Sequence, residues 1–273
     1  MKIMKLLSGA ELVGYIKERQ ARQVRALRQA HGVFPHLAIV QTIDDPVIDT
    51  YVRLKKQYGD DILIQVTDHK VLQDEARSVI EQLSADETVH AIIVQLPLAD
   101  PSATDEIVNS VAPHKDVDGL GVQPVFDPAT ALAINWLCAG YNIDLRKQHI
   151  LIIGQGRLVG GPLTAMWRHS GYDVTTADRT TKNLKELCQD ATLIVAGAGS
   201  PGLVTSDMVR PDTIVIDAGT ASEGGKIVGD LAPELYDRTD LSITPQRGGV
   251  GPLTVAALFD NVIQAASRTI KRA

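Results

Sequence analysis

The 273-residue sequence predicts a two-domain α/β fold built on parallel sheets. Short apolar runs rich in β-branched residues alternate with longer amphipathic segments, and runs apolar on both faces are typical of parallel strands covered by helices. Glycines and prolines interrupt this alternation over 119–128, and again over 248–252 before a last amphipathic segment. Two α/β halves joined around residue 120 are therefore predicted, with a final helix that can pack against either half.

The same alternation assigns each element in chain order. The predicted strands are His36–Thr42, Ile62–Val66, Val89–Val94, His149–Ile153, Asp173–Thr176, Thr192–Ala196, Thr213–Asp217 and Leu241–Thr244. The predicted helices are Ala10–Ala30 with Ser8 as N-cap, Val47–Tyr58, Leu72–Leu83, Thr104–Val111, Ala129–Ala139, Val159–Ser170 and Leu253–Ile270.

Charge and hydropathy narrow the possible partners. The formal net charge is −6, with both signs mixed along the chain, which argues against nucleic acid or an anionic membrane surface as the main partner. No stretch approaches the roughly 18 apolar residues of a membrane span. The two cysteines, Cys138 and Cys188, lack CxxC spacing, so we expect reduced thiols, no zinc site and a cytoplasmic protein.

A glycine-rich loop follows the strand predicted at His149–Ile153. It reads Gly154-Gln155-Gly156-Arg157-Leu158-Val159-Gly160-Gly161-Pro162 and leads into a helix. Strand, glycine turn and helix form the context of a dinucleotide-binding fingerprint, in which backbone N–H groups at the helix N-terminus approach a pyrophosphate. The spacing is G-x-G-x-x-x-G, so a tight turn in a generic α/β domain is the alternative interpretation. We favour a Rossmann-type domain.

The end of the next strand bears on the choice of cofactor. Asp178 and Arg179 stand side by side there; an acidic residue binds the ribose diol of NAD, whereas an arginine holds the 2′-phosphate of NADP. Arg179, with Arg157 in the loop, favours NADP and leaves NAD possible. Arg157 is equally compatible with a solvated surface charge.

A tyrosine and a lysine lie four residues apart on the second predicted helix. Asp45 and Pro46 mark the start of that helix, so Tyr51 and Lys55 share one helix face. A phenol beside an amine can stack on a flat heterocycle and transfer a proton if burial lowers the lysine pKa. Such pairs are also common on plain helix surfaces, so this one needs further support.

Support comes from polar residues at two other places. Gln95 follows an apolar strand, and the carboxyl ends of parallel strands face the crevice where open α/β sheets bind ligands. It could alternatively just cap the strand. Asp116 and Asp118 flank Val117 near the predicted domain junction; they lack a third ligand for a metal site, but one carboxylate could accept paired N–H bonds from a pterin-like ring.

These stretches together resemble the bifunctional methylenetetrahydrofolate dehydrogenase/methenyltetrahydrofolate cyclohydrolase family. The resemblance covers almost the whole chain in family order. The matching motifs are Y-V-x-x-K at Tyr51–Lys55, I-I-V-Q-L-P-L at Ile92–Leu98, K-D-V-D-G at Lys115–Gly119, V-G-x-P at Val159–Pro162, T-K-N-L at Thr181–Leu184, V-I-D-A-G at Val215–Gly219, G-K-I-V-G-D at Gly225–Asp230, I-T-P at Ile243–Pro245 and G-G-V-G-P-L-T at Gly248–Thr254.

The resemblance implies two activities: oxidation of 5,10-methylenetetrahydrofolate with NADP or NAD, and hydrolysis of the methenyl product to 10-formyltetrahydrofolate. It implies that Lys55 transfers the proton in hydrolysis, that Tyr51 stacks on the folate and that Gln95 tunes the lysine. Asp118 grips the pterin in this interpretation. Substrate contacts are further expected from Leu96, Pro97, Gly249 and Pro252.

The resemblance also implies a domain plan and a cofactor site. Residues 1–124, joined by about 252–273, form a folate-binding catalytic domain to which the last helix returns, and residues 125–251 bind the dinucleotide. Cofactor contacts are expected from Gly154, Gln155, Gly156, Arg157, Arg179, Gly219 and Thr220. A homodimer formed through the cofactor domains and a part in one-carbon metabolism and purine biosynthesis are implied as well.

The chain departs from the family pattern in several places. The P-C-T-P-x-G motif is replaced by Pro128-Ala129-Thr130-Ala131-Leu132-Ala133, the segment from Asp118 to Pro128 is shortened, the G-[RA]-S turn is Gly154-Gln155-Gly156, and Arg247 replaces a proline. Two alternatives therefore stay open. One is a diverged member with a single activity, and the other is a non-catalytic folate- or nucleotide-binding protein on the same fold.

Overall fold

Two parallel sheets organise the computed structural model, which describes residues 5–223 and 226–270. The strands are β1 (Lys5–Leu6), β2 (His36–Gln41), β3 (Gln65–Lys70), β4 (Ala91–Val94), β5 (Ile150–Ile153), β6 (Val174–Ala177), β7 (Leu193–Ala196), β8 (Ile214–Asp217), β9 (Ala221–Glu223), β10 (Lys226–Val228) and β11 (Ser242–Ile243). The α-helices are α1 (Gly9–His31), α2 (Pro46–Asp61), α3 (Gln73–Ala85), α4 (Thr104–Val108), α5 (Ala129–Gly140), α6 (Gly160–His169), α7 (Leu184–Asp190) and α8 (Val250–Arg268).

Each sheet belongs to its own compact unit. The described residues of Gly14–Ala129 and Val255–Ala273 form one, which we call the three-stranded unit. Those of Met1–Val13 and Thr130–Thr254 form the other, the six-stranded unit. The last helix, from Val255 onward, therefore belongs with the N-terminal α/β fold, and the predicted two-domain α/β architecture is confirmed.

The three-stranded unit is a parallel sheet of order β3-β2-β4. All six residues of the central strand β2 are buried. Alternate residues of the sheet pack against α3 and α4 in one apolar cluster that includes Ala38, Val40, Ile80, Ile92 and Ile107. Because side chains alternate between faces, Gln41, Asp68 and the strand-end residue Gln95 share the opposite face of the sheet.

The six-stranded unit is a parallel sheet of order β1-β11-β8-β7-β5-β6. The chain leaves β5 toward β6 on one side and returns to β7 on the other side of β5. Such a reversal of strand order is the topological switch point at which open α/β sheets bind ligands. The antiparallel pair of β9 and β10 extends from the loop after β8.

The described part of the structure contains four strands and α-helices that were not predicted, β1, α7, β9 and β10, and it changes a predicted domain boundary and the start of a predicted strand. β1 pairs with β11, so the described residues before Gly14 lie in the six-stranded unit, whereas the predicted division placed them in the first domain. The strand predicted at Ile62–Val66 begins only at Gln65. Leu63 adopts a left-handed φ of 66°, and Ile62 and Ile64 are buried apolar anchors of the turn after α2. Ile62 and Ile64 are buried in a turn, so their pattern indicated burial correctly and a strand wrongly.

The segment after Asp118 is held by hydrogen bonds at both of its ends. Asn261 of α8 is 1% exposed, and its amide donates to the carbonyl oxygens of Val117 and Asp127, both at 2.9 Å. Between these points, Val122 N–H donates to the side chain of Asn109 at 2.9 Å. The segment is therefore a defined loop of the three-stranded unit.

Both cysteines are buried free thiols. Burial raises the pKa of Cys138 to about 12 and that of Cys188 to about 11, which makes both poor nucleophiles. Within residues 5–223 and 226–270, no helix has the length and apolar character needed to cross a membrane. The same residues contain no group of three or more acidic, histidine or cysteine side chains arranged to hold a metal ion.

Candidate active site

Helix α2 presents the predicted tyrosine and lysine. As expected, Asp45 caps it: one carboxylate oxygen accepts from the N–H groups of Val47 at 2.7 Å and Ile48 at 3.1 Å, and Pro46 opens the first turn. Tyr51 and Lys55 follow one turn apart, both half-buried. The sequence pattern thus produces a firm helix start that determines where both side chains project.

The structure brings Lys55 and Gln95 together. The Lys55 ammonium donates to the Gln95 side-chain oxygen at 2.6 Å. The Gln95 amide nitrogen donates in turn to the Leu96 carbonyl at 3.0 Å, which leaves its oxygen directed at the lysine. Leu96 is half-buried, Pro97 is exposed, and the bond between them is cis. Gln95 is therefore more than a cap on the strand end.

Asp118 is the charged neighbour of Lys55. Burial lowers the pKa of Lys55, and the negative charge of Asp118 partly opposes this shift. Burial also raises the pKa of Asp118, with Lys55 acting against the rise and Asp116 adding to it. Both net shifts favour the neutral forms, because desolvation of the two groups outweighs the attraction between their charges. The lysine can therefore lose its proton more readily than a solvent-exposed lysine.

The two candidate aspartates have different roles. Asp116 is 5% exposed, and its carboxylate accepts from the N–H groups of Gly119 at 3.1 Å and Gly121 at 2.8 Å. Gly119 has a φ of 65°, and a Cβ there would clash with the Phe126 carbonyl. Asp116 thus shapes the turn, and Asp118 beside it is the carboxylate that interacts with Lys55.

A second set of polar residues docks α2 onto the sheet, and the sequence interpretation missed it. The Asp68 carboxylate accepts from Lys56 at 3.1 Å and from the Gln41 amide at 2.9 Å, while Lys70 pairs with Asp49 at 2.8 Å. The available signal was the run Gln65–Lys70 itself, but the strand predicted at Ile62–Val66 ended before the charged residues Asp68 and Lys70.

The glycine loop lies after β5, as predicted. Gly154 has a φ of 90° and its N–H donates to the Ala177 carbonyl at 2.8 Å. A Cβ on Gly160, the first residue of α6, would collide with the Gly154 carbonyl, so the loop closes tightly against the helix N-terminus. Gly156 has no neighbour in the place of a Cβ, which leaves its backbone open to a ligand. These features fit a dinucleotide pyrophosphate.

Other predicted cofactor residues border the same edge of the six-stranded sheet. The Gln155 amide donates to the Gly154 carbonyl at 3.0 Å, and its oxygen accepts from Thr164 at 3.2 Å. Arg157 and Arg179 are exposed. Next to Arg179, the Asp178 carboxylate accepts from the backbone and hydroxyl of Thr180 at 2.9 and 2.6 Å, and these bonds lower the pKa of Asp178.

The remaining predicted residues also lie in the six-stranded unit. Gly219 is half-buried and its N–H donates to Asp217 at 3.0 Å, whereas Thr220 is exposed. Gly249 is buried between Gly9 and Thr244, and Pro252 is half-buried in the first turn of α8. The structure therefore groups Tyr51, Lys55, Gln95 and Asp118 in one unit and the glycine loop with these residues in the other.

A Rossmann-like parallel sheet with a glycine loop at its switch point, in a chain whose other α/β unit carries a desolvated lysine, defines a two-domain nucleotide-dependent enzyme. Comparison with known proteins identifies which kind. Residues 7–118 match the tetrahydrofolate dehydrogenase/cyclohydrolase catalytic domain, and residues 128–270 match the NAD(P)-binding domain of the same family.

Individual relatives agree over nearly full length. The chain is 36% identical to a bifunctional FolD protein of Campylobacter jejuni, covering 98% of this chain and 100% of that protein. It is 34% identical to one of Amoebophilus asiaticus, covering 97% of each. The crystal structure of a C. jejuni FolD methylenetetrahydrofolate dehydrogenase/cyclohydrolase superposes with a TM-score of 0.90 at 34% identity, over 97% of this chain and 99% of that one.

The chain therefore belongs to the tetrahydrofolate dehydrogenase/cyclohydrolase family. The resemblance drawn from the motifs is confirmed, and so is the presence of an NAD(P)-binding domain.

The environment of Lys55 yields a first prediction about its pKa. Replacing the neutral Gln95 with Glu places a negative charge next to the Lys55 ammonium. The pKa of Lys55 should therefore rise. Replacing Asp118 with Asn removes the negative charge that partly opposes the lowering, so its pKa should fall further. Acetylation of Lys55 against pH, followed by mass spectrometry, measures both shifts because only the neutral amine reacts.

Exposed Lys182 serves as the internal reference in each digest. Shifts of the same sign in the two variants, or a Lys55 midpoint at or above that of Lys182 in the unaltered protein, would contradict this electrostatic account.

Proposed function

We propose that this chain oxidises 5,10-methylenetetrahydrofolate to the methenyl compound with NADP, and hydrolyses that product to 10-formyltetrahydrofolate with Lys55 as the proton carrier. One observation carries the proposal. A half-buried lysine whose pKa is lowered by burial donates at 2.6 Å to a neutral side-chain oxygen beside a carboxylate. A lysine whose pKa is lowered in this way is more readily available as the neutral amine, the form that hydrolysis requires of a proton acceptor.

Hydrolysis begins at the carbon between the two nitrogens of the methenyl cation, which is electrophilic. Water adds to this carbon and loses a proton to the neutral Lys55 amine, and the new C–O bond neutralises the cation. One ring nitrogen takes the proton back from Lys55 as its bond to that carbon breaks. The hydroxyl of the adduct gives its proton to solvent as the C=O bond of the formyl group forms on the other nitrogen, so each turnover releases one proton. Gln95 holds the amine in place throughout without adding a charge that would keep it protonated.

The folate itself has two proposed anchors in the three-stranded unit. The Tyr51 ring, one helical turn before Lys55, offers a half-buried face for stacking. Asp118 offers a carboxylate for the paired N–H groups of the pterin, a geometry that favours bidentate hydrogen bonds. Leu96 and Pro97, which follow Gln95 directly, supply apolar contacts at the strand end.

For the oxidation, the six-stranded unit supplies the nucleotide site. NADP, when bound, accepts the hydride that leaves the methylene carbon. Gly154, Gly156 and the N-terminus of α6 would hold its pyrophosphate through backbone N–H groups. Gly219 and Thr220 would border the nicotinamide. In a hydride transfer the protein acts mainly by holding the two reacting carbons in the right geometry. The backbone shape of these loops is therefore the protein's main contribution to the rate of oxidation.

A lysine exchange tests the proton carrier. Lys55→Met should reduce hydrolysis of methenyltetrahydrofolate by about 100-fold or more, because general-base catalysis contributes roughly that factor. The decay of methenyl absorbance measures hydrolysis. Lys56→Met is the matched control: the neighbouring lysine pairs with Asp68 on the sheet, so hydrolysis should stay within about twofold of the starting value.

Equal loss in the two variants would mean that helix docking, and not proton transfer, limits the rate. Undiminished hydrolysis in Lys55→Met would overturn the assigned role. Hydride transfer without any hydrolysis in the unaltered protein would favour a diverged member with a single activity.

The preference for NADP has a separate basis. Arg179 is exposed directly after the β6 strand end, and the adjacent Asp178 carboxylate is engaged by Thr180. An arginine at this position can pair with the 2′-phosphate, whereas an acid that accepts internal bonds is less available to a ribose diol. NADP is therefore the proposed cofactor and NAD the weaker one.

Arg179→Ala should raise the dissociation constant for NADP by about tenfold and leave that for NAD within about twofold, since only NADP carries the 2′-phosphate. Calorimetric titration of both nucleotides measures this split. Arg210→Ala, an exposed arginine of the same unit whose guanidinium contacts the Asp190 carbonyl, controls for loss of charge alone. An equal rise of the dissociation constants for NADP and NAD in Arg179→Ala would refute the proposed preference for NADP.

We also infer a cytoplasmic homodimer formed through the cofactor domains, which supplies 10-formyltetrahydrofolate to purine biosynthesis. The family resemblance supports this assembly, and the mixed surface charge with buried free thiols is consistent with a reducing compartment. Light scattering should give twice the chain mass of 29.4 kDa. A monomeric mass at the concentration used for assays would contradict the dimer.

A further inference from the structure

Two aspartates, the buried Asp230 and the half-buried Asp217, lie beneath the carboxyl edge of the six-stranded sheet, and no proposed chemical step uses them. Asp230 is 0% exposed. One of its carboxylate oxygens accepts from Ala198 N–H at 2.5 Å and Gly199 N–H at 3.2 Å, and the other accepts from Ser200 N–H at 2.6 Å. A single side chain thus ties down three consecutive amides of an exposed loop.

This loop occupies a central place at the switch point. It follows β7, and β7 lies between β5 and β8, so the loop is flanked by the glycine loop and by the Gly219 segment. The contacts agree: a Cβ on Gly154 would meet the backbone of Ala198, and one on Gly219 would meet the Asp230 carboxylate. Any shift of the loop would therefore disturb both neighbours.

Asp217 holds Asp230 in position. Its carboxylate accepts from the N–H groups of Asp230 and Gly219, both at 3.0 Å, and from the Tyr236 hydroxyl at 2.8 Å. Gly229 leaves room for this carboxylate, because a Cβ there would overlap it. The two aspartates connect the loop after β7, the loop after β8 and the chain that returns from β10.

Three consecutive N–H groups aimed at one point form the kind of concavity that binds anions. Here the anion is the protein's own carboxylate, so these amides are not available to a phosphate. The pyrophosphate must then rely on the glycine loop and α6, and the loop after β7 contributes through its shape. Charge-assisted hydrogen bonds are short and strong, so they suit a fixed loop.

We propose that Asp230 is a positioning residue for the nicotinamide dinucleotide: its buried carboxylate fixes loop 198–200 between the glycine loop and the Gly219 segment. The inference rests on the proposed cofactor function. It adds a residue whose carboxylate is buried under the loop and acts on the affinity for the cofactor through that loop. Hydrolysis of methenyltetrahydrofolate consumes no dinucleotide, so the same protein provides an internal measure of its general integrity.

Asp230→Asn tests the proposal with nearly unchanged volume. An amide NH₂ cannot accept an N–H bond, so at least one side of the carboxylate loses its partners. Calorimetry should show the NADP dissociation constant raised about tenfold or more. Hydrogen exchange of the cofactor-free protein should show faster exchange at residues 198–200. Hydrolysis should stay within about twofold.

Asp207→Asn is the matched control, because Asp207 is an exposed carboxylate of the same unit. It should change neither the NADP dissociation constant, nor the exchange at residues 198–200, nor hydrolysis.

A milder variant covers the case in which Asp230→Asn does not fold. Tyr236→Phe removes the hydroxyl donor to Asp217, the carboxylate that accepts from the Asp230 N–H, and so loosens the support beneath Asp230. This variant should raise the NADP dissociation constant by about twofold to threefold.

Normal NADP affinity in Asp230→Asn, or in Tyr236→Phe alone if the first variant is insoluble, would overturn the proposal. A parallel fall of hydrolysis, thermal stability and NADP affinity would also overturn it, since that pattern marks a general structural role. If the unaltered protein binds neither NADP nor NAD, the proposed cofactor function fails, and the cofactor-free exchange data report separately whether Asp230 holds the loop.

Discussion

The candidate chemistry depends on the hydrogen bond between a half-buried lysine, Lys55, and a neutral partner, Gln95. A carboxylate in the place of Gln95 would stabilise the ammonium and keep Lys55 protonated. An apolar side chain would leave the amine without orientation. The glutamine oxygen at 2.6 Å gives direction without a full charge, and Asp118 supplies only part of the missing electrostatic support. The balance leaves a base that can both take up and release a proton.

The helix that carries Lys55 also contacts the sheet through the neighbouring lysine, by a partly exposed ion pair that adds little stability. Lys55 and Lys56 are adjacent in sequence, so they project about 100° apart around α2. Lys55 meets Gln95, while Lys56 meets Asp68 on the sheet. The Tyr58 hydroxyl, one turn further on, donates to the buried Gln20 of α1 at 2.7 Å. Two adjacent residues of the same type therefore serve chemistry and docking respectively.

The local parts of this arrangement could be predicted from sequence, because they depend on short-range rules. Asp45 with Pro46 marked the start of α2, Ser8 accepts from Glu11 N–H at the start of α1, and Gln95 followed an apolar strand. The Asp68 contacts could not be predicted. They depend on which residues of β2 and β3 lie side by side, and that register follows from tertiary packing, not from the composition of either strand.

The same limit applies to the aspartates. Asp116 and Asp118 stand in one turn and look equivalent in sequence, since both are acids next to Val117. What separates them is the left-handed conformation of Gly119, which turns the following amides toward Asp116. A two-residue strand such as β1 carries too little periodicity to be detected at all. Its pairing with β11 therefore appears only in the structure.

Both units fix a loop in the same way. In each, a buried carboxylate binds backbone amides of the adjacent loop: Asp116 holds Gly119 and Gly121, and Asp230 holds loop 198–200. Asn261 then fixes the carbonyls of Val117 and Asp127. Because these anchors act before and after the intervening chain, its length can change at little entropic cost without displacing Asp118. The position of the functional carboxylate is thus set by its anchors, and the chain between them is free to vary.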